Sequence, residues 1–207
     1  GLPCDMSSLM KISKEYNIPI IQDSAHALGA KYNNIDIADL TEYSCFSFQA
    51  IKTITTGDGG MLVLNDRQLA SKAKRIRWFG IDRSAKQKGI WENDIVEVGY
   101  KYQMTDLAAA IGLAGLEEFD SVLKRRKEIF SLYETELSSF SDVSIVGNEF
   151  DDRTHASWLF TIYADDRYNL QKKLKDVGIE SNQMHFRNDR YSVFKDFWKG
   201  KEFPNMD

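Results

Sequence analysis

Apolar positions Leu9, Met10, Ile12 and Tyr16 recur at helical spacing behind Asp5, a residue that can cap a helix start, and predict a first helix. The apolar run Ile18-Pro19-Ile20-Ile21 then ends at Gln22-Asp23. A helix followed by a short apolar strand with a polar residue at its carboxyl end is the pattern of an α/β sheet. Further strands are predicted over Tyr43 to Phe48 and Gly60 to Leu64. Asp66 opens a helix carrying Leu69, Ala70, Ala73 and Ile76, which stops near Gly80. Residues Ser84 to Asn93 hold Gly89 and charged residues without a period, and predict a mobile surface loop. Thr105 caps a long helix from Asp106 to about Glu118, and a second helical pattern continues to about Leu137. Beyond Ser138 the pattern changes: Val143 to Val146 and Trp158 to Tyr163 resemble strands, and Asn169 to Val177 a helix closed by Gly178. The expected fold class is α/β, with a large sheet domain over residues 1–118 and a smaller α+β domain over 119–207.

Composition narrows the function classes. Of 207 residues, 43% are apolar and 28% charged, as in ordinary globular proteins. The net charge is −4 and the cations are scattered, which argues against nucleic acid as a partner. No apolar run is long enough to span a membrane, and no signal peptide is read. Cys4 and Cys45 have neither metal-ligand nor redox spacing, which makes a reducing cytoplasm the default location. Lys124-Arg125-Arg126-Lys127 reads as a solvated helix face, Trp78 and Phe79 as packing residues, Cys45 as a small core residue and His155 as structural. The chain starts at Gly1 without a methionine, and both of its ends have the look of cut ends.

Two segments carry candidate chemistry. Asp23 sits at the carboxyl end of a predicted strand, where α/β sheets place their ligands. Small residues at 24, 25, 27, 29 and 30 leave room for a flat group, and His26 follows three residues after the carboxylate. A pyridine cofactor needs such a carboxylate to keep its ring nitrogen protonated. Lys52 follows an apolar stretch and precedes the hydroxyl- and glycine-rich Thr53 to Gly60. A lysine in a largely apolar pocket is poised for Schiff-base chemistry, because desolvation favours the free amine. The hydroxyls, Ser47 included, and the glycine amides suit a phosphate.

These segments, Gln22-Asp23-Ser24-Ala25-His26-Ala27-Leu28-Gly29, Phe46-Ser47-Phe48-Gln49-Ala50-Ile51-Lys52 and Thr55-Thr56-Gly57-Asp58-Gly59-Gly60, resemble the DegT-type nucleotide-sugar aminotransferases, pyridoxal-phosphate enzymes of the aspartate-aminotransferase-like fold. Arg77-Trp78-Phe79-Gly80-Ile81 and the run Gly99 to Leu113 extend the resemblance, which reaches about residue 190. It implies pyridoxal 5'-phosphate held by Lys52 as an internal aldimine, Asp23 on the pyridinium nitrogen, His26 near the phenolic oxygen and Ser47 on the phosphate. It also implies a homodimer in which Gly99 to Met104 reaches the neighbouring subunit's site. Lys101 stands there where asparagine is frequent, and Gln103 where arginine is frequent, so Lys101 would meet a phosphate as a point charge. Met184 to Arg190 resembles the segment lining the sugar-nucleotide side, making His185 and Arg187 candidate substrate contacts; a solvated loop is the competing reading. Family members run to nearly twice this length, so the chain is expected to be an internal part of a longer enzyme that lacks the amino-terminal portion of the large domain.

The implied reaction carries an amino group from an amino acid, glutamate or glutamine, to a keto group of a nucleotide-linked sugar. Two alternatives stand beside it. One is a sugar dehydratase of the same family using pyridoxal or pyridoxamine phosphate, although those relatives carry histidine at the position of Lys52. The other is a non-catalytic regulator or scaffold, which has no need of an intact Asp23, Ser47 and Lys52 set.

Overall fold

The computed structural model describes residues 1–92, 95, 97–147, 150–198 and 201–204. Helix α1 spans Met6–Tyr16, capped by Asp5, whose carboxylate accepts from the Ser8 amide at 3.1 Å. Asn17 closes it in the left-handed conformation. Strand β1, Ile21–Asp23, pairs in parallel with β4, Tyr43–Ser47, and β4 pairs antiparallel with β5, Gly60–Leu64. Of the apolar run at 18–21, only Ile21 enters the sheet. Pro19 has no amide hydrogen to give a ladder.

Between β1 and β4 lies an antiparallel hairpin of β2, Lys31–Tyr32, and β3, Ile35–Asp36. Its two-residue turn, Asn33-Asn34, has both φ angles positive, the geometry a tight hairpin turn demands. Strand β7, Arg153–Thr154, joins β2 from far along the chain. Helix α2 is Arg67–Ile76, capped by Asp66. A one-turn helix α3, Arg83–Gln87, occupies part of the segment predicted as loop, because the Asp82 carboxylate accepts from the Ser84 and Ala85 amides and satisfies its start. Asn93, in the same segment, lies outside the described residues. Helices α4, Asp106–Glu117, and α5, Phe119–Leu137, follow almost without a break.

The chain divides into two compact units, residues 1–139 with 145–160, and 140–144 with 161–207. The expected boundary at 119 falls inside the first, because α5 packs there: Phe130 stacks on His155 at 4.8 Å and Tyr133 on Phe160 at 4.9 Å. The core of this unit is Met6, Ala30, Tyr32, Ile37, Phe46, Ile54, Phe130 and Ala156. Strand β6, Val143–Ile145, pairs with β8, Ile162–Ala164, and the second unit holds β8, α6, Arg167–Asp176, and α7, Lys195–Trp198. The predicted strand over Trp158 to Tyr163 is reduced to its last two residues plus Ala164. Ser157, at φ 53°, turns the backbone out of extension just before Trp158.

Candidate active site

The parallel register sets Asp23 beside Cys45, and Ser47 lies two residues further along β4. Alternation buries Gln22, Ser44 and Phe46 on one face of these strands and turns Ile21, Asp23, Cys45 and Ser47 to the other. The carboxylate and the hydroxyl therefore share a face at the carboxyl end of the sheet. Gln22 fixes the buried side: its Nε2 lies 2.9 Å from the Ile37 carbonyl and 2.8 Å from Ser44 Oγ.

After β1 the chain turns at once. The Ser24 amide donates to the Cys45 carbonyl at 2.8 Å, and Asp23 Oδ1 accepts from the Ala25 amide at 3.1 Å. This is an Asx-type turn, and His26, the next residue, stacks on Trp158. The small residues nearby serve packing more than an open ledge: Ala30 is fully buried, and a Cβ on Gly29 would lie 2.6 Å from Leu123 of α5.

Lys52 sits on a closed loop between β4 and β5. The Phe48 amide donates to the Gly59 carbonyl at 2.8 Å, the Thr56 amide to the Phe48 carbonyl at 2.9 Å, and the Lys52 amide to the Gln49 carbonyl at 2.9 Å. Ile54 and Thr56 are the buried feet of the loop. Helix α4 presses on them through its glycines, since a Cβ on Gly112 would lie 2.8 Å from Thr56 Cγ2. Two threonine hydroxyls proposed for a phosphate are used internally: Thr55 Oγ1 accepts from the Gly57 amide at 2.9 Å, and Thr56 Oγ1 donates to the Asp58 carbonyl at 2.9 Å. Ser47 Oγ accepts from the Gln49 amide at 3.3 Å, which leaves its hydrogen to donate.

The Lys52 ammonium lies 4.3 Å from the centroid of the Trp158 ring, and the His26 ring stacks on the same indole at 3.9 Å. His26 and Lys52 thus both meet the Trp158 indole, on segments that follow the strands bearing Asp23 and Ser47. A carboxylate, an amine, a hydroxyl donor and an imidazole at one sheet end match the needs of pyridoxal phosphate: a protonated ring nitrogen, an aldehyde carbon, a phosphate and a phenolic oxygen. The donor set fits the cofactor.

Comparison with known proteins decides the family. Residues 1–207 match the DegT/DnrJ/EryC1/StrS aminotransferase family. The chain belongs to this family. It is 34% identical over 191 residues to the UDP-4-amino-4,6-dideoxy-N-acetyl-beta-L-altrosamine transaminase of Campylobacter jejuni, covering 90% of this chain and 50% of that protein. It is 32% identical to the GDP-perosamine synthase of Escherichia coli O157:H7, covering 100% of this chain and 58% of that protein. A Streptococcus pneumoniae protein described as a sugar aminotransferase, solved in a PLP-form, superposes with a TM-score of 0.82 at 26% identity, covering 98% of this chain and 56% of that one. The chain spans about half the length of the curated relatives it matches.

In this DegT-family chain the Gly99 to Met104 segment is anchored on the end of α2. The Tyr100 amide donates to the Ile76 carbonyl at 2.7 Å, the Phe79 amide to the Tyr100 carbonyl at 3.1 Å, and the Tyr102 amide to the Arg77 carbonyl at 3.0 Å. Lys101 faces Trp78, with its Nζ 4.6 Å from the ring centroid. In the second unit, Arg187 is engaged by Asp189 through two bonds of 3.0 and 2.9 Å, and this guanidinium holds the Asp189 carboxyl below the usual carboxylate range. His185 has φ 59°, and its carbonyl lies within reach of Gln183 Nε2 at 3.3 Å. Trp158 is the residue that sequence reasoning passed over. Its link to Lys52 and His26 is tertiary and leaves no periodic signal.

His155, three residues before Trp158, is structural in its contacts: Nδ1 accepts from the Ser157 amide at 2.8 Å and the ring stacks on Phe130. Burial is the main cause that lowers its pKa from 6.5 to about 4. Between those values the unfolded chain holds a proton that the folded chain excludes. The resulting penalty is absent above pH 6.5 and complete below about pH 4, so stability falls as pH falls through that window. Thermal midpoints measured across it should decline less steeply for His155→Gln than for the parent, and equal slopes would remove His155 as the source.

Proposed function

We propose that the protein is a pyridoxal-phosphate-dependent aminotransferase that moves an amino group from glutamate or glutamine to a keto group of a nucleotide-linked sugar. The observation that carries this reading is the Lys52 amine set against the same indole as His26, at the sheet end that bears Asp23 and Ser47. The names of the two curated relatives, a UDP-sugar transaminase and a GDP-sugar synthase, support a sugar nucleotide as the acceptor.

Pyridoxal phosphate, when bound, supplies an electron sink for negative charge at the donor's α-carbon. The Lys52 side chain would hold the cofactor covalently, and its Nζ would be the group that takes and returns the α-carbon proton. Asp23 would hold the ring-nitrogen proton, Ser47 would donate its hydroxyl hydrogen to the phosphate, and His26 would serve the phenolic oxygen. His185 and Arg187 are proposed as sugar-nucleotide contacts, a role for which Arg187 would have to share its guanidinium with Asp189. The amine of Lys52 favours transamination over the dehydratase alternative, whose relatives carry histidine at this position. Placement in a reducing cytoplasm draws support from the two free cysteines, Cys4 and Cys45.

The working assembly is proposed as a homodimer, each Gly99 to Met104 segment serving the partner's site. Support comes from the resemblance of that segment to the family's interface-reaching run.

Borohydride reduction of the full-length protein with pyridoxal phosphate, followed by peptide mapping, tests the central assignment. The pyridoxyl group is expected on Lys52. A group found on Lys72 or Lys101, or none at all, would overturn it.

A further inference from the structure

We infer that Trp158 is a positioning residue that fixes both ends of the Lys52 side chain and stacks on His26, an inference that rests on the aminotransferase reading. The indole Nε1 donates to the Ile51 carbonyl at 2.9 Å, and this carbonyl belongs to the peptide that leads into Lys52. The ring of the same residue meets the far end of the side chain, with Nζ 4.3 Å from its centroid. One residue therefore restrains the backbone from which Lys52 springs and the amine in which it ends. Between these points lie four rotatable bonds, whose freedom is the main entropic cost of holding a lysine in one geometry. The His26 ring lies against the same indole with its plane inclined by 27°. Attachment of a carbonyl carbon to an amine requires the nitrogen to be held near its partner, and pre-ordering of this kind is a recognised source of rate.

Trp158 is itself well supported. The Ser157 turn lifts it out of extension, and Arg126 Nη1 of α5 donates to its carbonyl at 3.2 Å. Ala156 is 1% exposed and its amide donates to the Gly1 carbonyl at 2.9 Å, while β7 ties the segment to β2. The indole is thus carried by a strap fixed to α5, to β2 and to the backbone of Gly1. A residue that merely filled space would not need its ring N–H aimed at the peptide before the reactive lysine.

The test uses Trp158→Leu and Trp158→Phe in the full-length protein. In cofactor-free protein with carbon-13-labelled lysine, the Lys52 Cε protons are expected to be shifted upfield by the indole ring current and to return to the unshifted position in Trp158→Leu. On addition of pyridoxal phosphate, the rate of borohydride-trappable attachment at Lys52 is expected to fall roughly tenfold to a hundredfold in Trp158→Leu. Trp158→Phe keeps a ring face but loses the Ile51 bond, and is expected to attach roughly threefold to tenfold more slowly than the parent. It decides the question should the leucine variant fail to fold. Parental attachment rates in the folded variants, or an unshifted Lys52 resonance in the parent, would overturn the positioning role alone. Failure of the parent itself to form the Lys52 adduct would overturn the aminotransferase reading and this inference with it.

Discussion

Mixing an inactive Lys52→Ala protein with a weakened Lys101→Ala protein is expected to restore about a quarter of parental activity, the share set by two-fold assembly. Alone, Lys52→Ala should lose at least roughly 10³-fold, because no other amine would replace the covalent and proton-moving roles proposed for Lys52. Lys101→Ala should lose roughly tenfold to a hundredfold, the scale of one charge-assisted contact to a phosphate. After random subunit exchange, half of the dimers are hybrids. In each hybrid one site pairs an intact Lys52 with an intact Lys101 from the other chain, which gives the quarter. If Lys101 serves its own subunit, no site in the hybrid contains both lysines and activity stays at the low level of the Lys101→Ala protein. The anchoring of Lys101 on its own α2 end, over Trp78, makes this a real contest: the same contact could aim the ammonium outward at a partner or retain it as structure. Absence of recovery, once exchange is demonstrated by mass-tagged subunits, would remove the proposed trans role.

The parts legible in the chain were those with local physics behind them. Asp5, Asp66 and Thr105 cap the helices expected of them, because one side-chain oxygen and one amide three residues on suffice for the effect. The β5 strand is where its apolar run places it, and β4 differs by one residue. Asp23 and Lys52 stand out because Asp23 ends a strand, Lys52 follows one, and each breaks an apolar pattern. The pairing of β2 with β7 was not legible: two-residue strands have no period, and the Lys31 amide meets Thr154 Oγ1 across 123 positions of chain. The apolar run from Trp158 looked like a strand because its composition suits one, while a single positive φ at Ser157 and a bond to the Ile51 carbonyl redirected it. The α3 turn was missed for the opposite reason, since a one-turn helix held by a cap needs no apolar stripe. What escaped the sequence reading was tertiary, and Trp158 is the functional instance.

Gly99→Ala is expected to destabilise the protein by on the order of 3 kcal/mol, while Gly115→Ala stabilises it or leaves it unchanged. The chemistry of the two substitutions is identical, one methyl group in place of a hydrogen, and the surroundings decide the sign. At Gly99 the new Cβ would overlap the Gly80 amide nitrogen and lie 2.8 Å from the Phe79 Cα. These are backbone atoms and cannot swing aside as a side-chain tip can. Relief requires parting the two segments, which lengthens the bonds from Tyr100 to Ile76, from Phe79 to Tyr100 and from Tyr102 to Arg77. At Gly115, inside α4, the Cβ would meet Ile54 Cγ2 at 3.5 Å, an ordinary contact, and alanine is favoured over glycine in a helix by about 1 kcal/mol. Urea midpoints of the full-length variants, read against the parent, check both signs. A parental midpoint for Gly99→Ala would mean that the crossing yields freely. The consequence reaches the chemistry, because Lys101 is placed by these same bonds: parting the segments moves its ammonium away from Trp78, so hybrid dimers in which Gly99→Ala is added to the Lys52→Ala chain should lose the recovered quarter of activity.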